Sequence, residues 1–163
     1  MSFDDAMLVE MLRRSYFACD GLWFVKIEDR RGLAEAFELD DQVWAVMPKI
    51  QARKARELLG IEGSSLADLQ QCIALKFVAE GHEISVRRDG DRELEVAITR
   101  CPWREALERS GRTGLGPEIA RRICEPEAAG WAAEFGEDIA LEMAESICEG
   151  GSACRLVFRR REP

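Results

Sequence analysis

Four cysteines fall in the last third of this 163-residue chain: Cys101, Cys124, Cys148 and Cys154. Thiols in such positions pack as small apolar side chains, act as nucleophiles, or bind a soft metal, and the sequence leaves all three open. No pair has the two-residue separation of a close zinc-ligand pair, so spacing by itself lends a metal little support. Cys148 and Cys154 are separated by five residues that include Gly150-Gly151. They can approach each other across two strands, and they are the pair a metal would use. The sequence leaves the cofactor unknown; a soft metal such as zinc is one that such thiols admit. Cys101 precedes Pro102-Trp103 and an expected helix. A helix N-terminus lowers a thiol's pKa, which makes Cys101 the first candidate nucleophile and Cys124 the second. Glu127, three residues after Cys124, and Glu105, one turn beyond Cys101, are candidate general acids or bases, or else exposed helix carboxylates. Trp103 and Trp131 supply aromatic faces that pack in a core or stack on a planar ligand. His82 is the single histidine and has no nucleophile near it in the chain, so it reads as a surface residue. The loop Gly111–Pro117 lacks phosphate-loop spacing, but the helix N-terminus at Pro117-Glu118 can receive a carboxylate.

The elements that must position these residues are legible from periodicity. Residues 4 to 31 carry a helical stripe interrupted by Gly21. Leu33 to Leu39 reads as a short helix, and Asp40 or Asp41 caps the next one, which runs to Gly60 with Pro48 bending it. Ser65 and Asp68 form a capping box for a helix that ends at Gly81; its stripe runs through Leu69, Cys72, Ile73, Lys76 and Phe77. The period then changes to two. Ile84 and Val86, the turn Asp89-Gly90, then Leu94, Val96 and Ile98 give a β-hairpin. Helices follow over 102–110, 117–123 and 127–135, the last two parted by Pro126. A second hairpin closes the chain, with Ile139, Leu141, Met143 and Ile147 on one face and Cys154, Leu156 and Phe158 on the other strand. The expected fold is α+β: a helical N-terminal half, then two β-hairpins forming one antiparallel sheet covered by helices. We read 1–163 as one domain, helical over 1–81 and mixed over 82–163, with the site in the second part.

Composition narrows the class. The chain has 23 basic and 31 acidic residues, a net charge of -8, which disfavours a nucleic-acid partner. Arg159-Arg160-Arg161 is read as a solvated strand end. No stretch is long and apolar enough to cross a membrane, and the acidic start Met1–Asp5 does not look like a secretion signal. The expectation is a cytoplasmic protein with reduced cysteines.

The runs Asp20–Phe24, Ile98–Trp103, Ile123–Trp131 and Cys148–Leu156 resemble an uncharacterised bacterial and archaeal family described as similar to 2-amino-thiazoline-4-carboxylate hydrolase. The Cys148–Phe158 segment also resembles the 4-vinyl-reductase (hydrocarbon-binding) domain. The resemblance implies an α+β fold, a small-molecule pocket and a homodimer. It points to Cys101, Cys124 and Cys154 as matching positions, with Cys148 and Glu127. Where the family often carries a histidine after Trp103, this chain has Arg104, a candidate ligand contact beside Trp103 and Trp131. The resulting expectation is a thiol-dependent hydrolase of a small cyclic substrate, with Cys101 or Cys124 as nucleophile and Glu127 as acid/base. The alternatives are a non-catalytic small-molecule or metal-binding module, and a partner-binding protein that dimerises through Trp23 and Trp44.

Overall fold

A computed structural model describes residues 2–161. The chain divides into two compact units, Met1–Val43 and Trp44–Pro163.

The first unit is a helical pair. Helix α1 spans Asp5–Arg31 and α2 spans Leu33–Trp44, its last residue belonging to the second unit. Asp4 caps α1, its carboxylate accepting from the Met7 amide at 2.7 Å. The helix runs unbroken through Gly21. Phe24 and Phe37 meet edge to face, with centroids 5.1 Å apart. Helix α2 is continuous where a break near Asp40 was expected.

The second unit carries the core. Helix α3 (Met47–Leu59) has Pro48 in its first turn, where a missing N–H costs nothing, so the expected bend does not arise. Helix α4 (Leu66–Glu80) starts at the capping box: the Ser65 side chain accepts from the Asp68 amide, and the Asp68 carboxylate accepts from the Ser65 amide. Strands β1 (Glu83–Asp89) and β2 (Glu93–Arg100) form the first hairpin, turning at Gly90, which takes a positive φ of 54°. Helix α5 (Pro102–Arg109) follows. The helix pair expected around Pro126 is instead one near-continuous run: α6 (Gly116–Ile119), a π-helical turn (Ala120–Cys124) and α7 (Glu125–Ala133). Strands β3 (Ile139–Glu145) and β4 (Cys154–Arg160) complete a four-stranded antiparallel sheet in the order β1-β2-β4-β3. The α+β expectation, with both hairpins in one sheet, holds.

The inner sheet face presents Leu94, Val96, Leu156 and Phe158 to Leu69 and Ile73 of α4 and to Trp131 and Phe135, all in one core. The outer face is an ion-pair lattice. Glu95 sits between Arg87 and Arg155, at 2.8 and 3.0 Å. Arg159 bridges Glu93 and Glu142. A sheet with one apolar and one charged face needs helices on one side only. At the end of β3 a bulge between Met143 and Glu145 flips the alternation, placing Glu145 opposite Arg155 on the outer face.

Candidate functional site: a cavity lined by four thiols

Three helical segments and the ends of both hairpins bound one cavity inside the second unit. Cys101, Cys124, Cys148 and Cys154 all line it, although chain distance separates them widely. Its volume is about 60 Å³, enough for a handful of waters or a small ligand.

Each thiol arrives for a local reason. Cys101 ends β2 and is the N-cap of α5, with Pro102 pre-set for the first turn. Cys124 closes the π-helical turn. Pro126 has no N–H to give to the carbonyl four residues back, and its ring crowds that carbonyl; the helix widens, and the Glu125 amide bonds to the Ala120 carbonyl instead. From Cys124 onward the spacing of Glu127, Ala128 and Trp131 puts all four on the cavity face. Cys148 lies in a 3₁₀ turn (Ile147–Glu149) that abuts α6: a Cβ at Gly116 would stand 3.3 Å from the Cys148 Cβ. Cys154 opens β4 opposite Ile98, and its sulfur accepts from the Ile147 amide at 3.4 Å. The loop between the two is clasped by Glu145, which accepts from the Ser152 and Ala153 amides and from the Ser152 hydroxyl, and pairs with Arg155. Those bonds hold the Glu145 carboxyl down at about 2.

Burial, not the helix terminus, governs Cys101, Cys124 and Cys154. The amides of Arg104 and Trp103 point at the Cys101 sulfur and favour the thiolate, as the sequence leads one to expect. Desolvation outweighs them and pushes the thiol up to about 11. Cys124 is raised well above its ordinary value, first by burial and then by Glu127. Cys154 is raised too, again chiefly by burial. The lowering that a helix N-terminus brings to Cys101 is therefore outweighed by its burial. Arg104 reaches Cys148 and donates to the Ile147 carbonyl at 3.2 Å.

The other end of the cavity holds a buried charge cluster that sequence reasoning missed. Lys76 of α4 lies 2.9 Å from Glu127 and 3.3 Å from Glu80, and over the Phe77 ring at 4.4 Å. The contact with Glu127 is an ion pair whose angles fall outside hydrogen-bond geometry. Glu80 also accepts from the Trp103 indole at 3.3 Å and the Gln51 amide at 3.4 Å. Although burial favours the neutral amine, the two carboxylates raise the Lys76 pKa and keep it charged. Glu127 is raised because burial outweighs the attraction of Lys76. His82, expected at the surface, is buried in this cluster. Its Nδ1 lies 3.3 Å from the Phe77 carbonyl and 3.8 Å from Glu80, and its ring stands edge-on to Phe77. The signal was present: Lys76 and Glu80 sit in phase with Leu69, Cys72 and Ile73 on the apolar stripe of α4. Trp103 packs at right angles on Trp44, 5.7 Å between centroids, and Trp44 is buried.

In the cavity wall the Trp131 indole N–H lacks a protein partner, while the Ser146 hydroxyl donates to the Cys154 sulfur. Glu105 is drawn off to Arg100 and Arg109 and does not line the cavity. Nor does Pro117, where a carboxylate site was expected. Among the described residues no group of three or more His, Cys, Asp or Glu side chains could hold a metal ion, so Cys148 and Cys154 lack the further ligands zinc would need.

Residues 2–134 match a family model described as Family of unknown function (DUF6125). The chain belongs to that family. The match includes Cys101, Cys124, Glu127 and Trp131 and ends before β3, so the Cys148–Cys154 hairpin lies beyond it. No curated protein matches the chain. Among solved structures the chain is similar to a trafficking protein particle complex subunit 3 from Naegleria fowleri, covalently bound to palmitic acid. The two are 14% identical with a TM-score of 0.55, and the alignment covers 97% of this chain and 98% of that one. At that identity the likeness is one of fold. Among the described residues no helix is long and apolar enough to cross a membrane.

Proposed function

We propose that this chain is a small-molecule-binding domain, and that its ligand occupies the thiol-lined cavity. The observation that carries the reading is a buried, mostly apolar space walled by four thiols yet equipped with an unpartnered donor, Trp131 Nε1–H. Apolar walls with a few converging polar groups are what ligand sites are made of, and an unpaired buried donor costs about 1–3 kcal/mol until an acceptor meets it. The ligand is thus a small molecule with an apolar body and at least one hydrogen-bond acceptor. The similar solved structure is bound to palmitic acid, which supports ligand holding by this fold. A long acyl chain, however, does not fit a cavity of this size unless its walls part. The test is native mass spectrometry of the purified protein and of its Trp131→Phe variant. An added organic mass, lost on denaturation and depleted in the variant, is expected; unadorned protein that also binds nothing from a library of small amides and alcohols overturns the reading.

A thiol-dependent hydrolase of a small thiazoline-carboxylate-like ring is the second reading. It is favoured by one observation: Cys101 is the N-cap of α5, where the Trp103 and Arg104 amides favour a developing thiolate. In it Cys101 or Cys124 attacks the ring and Glu127 carries the proton. Ring opening by the wild type that is lost in Cys101→Ser or Cys124→Ser would establish this reading; full activity in both variants ends it.

A further inference from the structure

Helix α1 carries an exposed seam. Leu8, Leu12, Ser15, Cys19, Leu22 and Lys26 follow one another at alternating steps of four and three, and every one is exposed. Met11 and Trp23 flank the seam. The five large apolar residues Leu8, Met11, Leu12, Leu22 and Trp23 are between 48% and 70% exposed. Single exposed leucines are ordinary, but a seam of this length in heptad phase is the pattern of a helix that pairs with another helix.

We infer that α1 pairs in antiparallel fashion with α1 of a second copy of this chain. Two features select this occupant. The first is charge. The N-terminal end of α1 carries Asp4 and Asp5; its last turns carry Glu28 and Asp29 among Lys26, Arg30 and Arg31, with Lys26 paired to Asp29 and Arg31 to Glu35, which leaves Arg30 as the base to meet an acid of the other copy. An antiparallel partner with the same sequence sets Asp4 of each copy against Arg30 of the other and opposes the helix dipoles, while a parallel partner would set Asp4 and Asp5 of the two copies side by side. Leu12 then faces Leu22, Ser15 faces Cys19, and Asp4 faces Arg30, with the small residues Ser15 and Cys19 at the two-fold axis where the helices come closest. The second is area. At roughly 100 Å² for a whole aliphatic side chain and about 200 Å² for Trp, the seam and the nearby Phe3 and Met7 offer about 500 Å² of exposed apolar surface. At the usual apolar fraction this implies roughly 800 Å² per copy, the size of a standard specific interface.

Sedimentation velocity of the full chain, from a few to several hundred micromolar, is the first experiment. A dimer is expected, and Leu12→Asp, an exposed change that leaves the helical circular dichroism intact, is expected to weaken it at least 100-fold. Arg30→Glu is expected to weaken it less, and adding Asp4→Lys, at the position it faces, to recover it. In Ser15→Cys protein, mild oxidation is expected to link the introduced thiol to Cys19 of the other copy. A monomer at every concentration, or a dimer indifferent to Leu12→Asp, overturns the pairing. Failure of the charge swap to recover the dimer, or a link from the introduced thiol to itself, overturns the antiparallel arrangement.

Discussion

Lys76→Met is the sharpest probe of the cavity. Methionine keeps the length and much of the volume of the side chain but removes the charge that holds Glu127 and Glu80 in a buried place. Removing one partner of a buried ion pair costs about 3–5 kcal/mol. Glu127 has an escape, because it can take up a proton. At pH 7 that costs a carboxyl of ordinary value 4.5 about 3.4 kcal/mol, which caps its share of the penalty; at pH 5.5 the cap falls to about 1.4 kcal/mol. The sign follows from linkage. Burial already raises Glu127 in the wild type, and without Lys76 it rises further, so the folded variant binds more protons than the unfolded chain. The penalty is therefore absent below about 4.5 and grows as pH rises towards the folded value. Loss of the Lys76–Phe77 cation–π contact adds roughly 0.5–2 kcal/mol that does not vary with pH. Urea unfolding of wild type and variant at pH 5.5 and 7 measures both parts. The expected loss is about 3–5 kcal/mol at pH 7 and smaller by about 2 kcal/mol at pH 5.5. Adding Glu127→Gln should restore part of the stability lost at pH 7. A loss under about 1 kcal/mol, or one equal at the two pH values, refutes the account of a charged lysine balancing a proton-seeking carboxyl.

Alkylation with iodoacetamide should modify the exposed Cys19 first and Cys101 late; with Cys101 at about 11, its thiolate fraction at pH 8 is about 100-fold below that of a thiol at 9, and peptide mapping over time checks the order. Gly130→Ala should cost about 1–3 kcal/mol by thermal or urea unfolding, since the added Cβ would lie 2.9 Å from the Pro48 Cβ and 3.0 Å from its Cγ, forcing α7 off α3. Glu145→Gln should speed hydrogen exchange at the Ser152 and Ala153 amides. In the wild type the same loosening should appear only as pH falls below 4.5 towards about 2, because a depressed carboxyl stabilises the folded loop above its ordinary value and ceases to as it is protonated.

The sheet was readable because a period of two is unambiguous when one face is buried: Leu94, Val96 and Ile98 against Leu156 and Phe158 leave one register. The helices were readable to within their joints. Proline marked joints in both places but misled in both. Pro48 opens a helix instead of bending one, and Pro126 is absorbed by a π-helical turn instead of parting two helices. Nothing local distinguishes these outcomes; the packing of the surrounding elements does. Spacing left open whether the thiols meet, since the common lining of one cavity by all four depends on β2 pairing with β4, a contact between hairpins some 60 residues apart in the chain. The buried Lys76–Glu80–Glu127 group was hidden by a habit of reading: a lysine on an apolar stripe looks like a snorkelling side chain, and only its two carboxylate partners show that it ends in the core.

The four thiols also set a condition on any chemistry. A cysteine held at about 11 is favoured in its neutral form by about 3 kcal/mol relative to one at 9, more than the 0.3–1 kcal/mol a surface helix terminus usually returns. For Cys101, Cys124 and Cys154 burial at the cavity is thus what favours the neutral thiol. A ligand changes that balance only if it brings positive charge or donors to the sulfur, or admits water. A neutral apolar ligand would leave Cys101 and Cys124 as inert walls. A cationic or ring-nitrogen ligand would lower them, with Glu127 beside Cys124 as the nearest carboxylate to take up the proton. The pH dependence of cysteine alkylation, measured with and without a bound ligand, therefore separates the two readings of the site. An unchanged profile belongs to a binding domain, and a Cys101 or Cys124 profile displaced to lower pH belongs to a ligand-activated nucleophile.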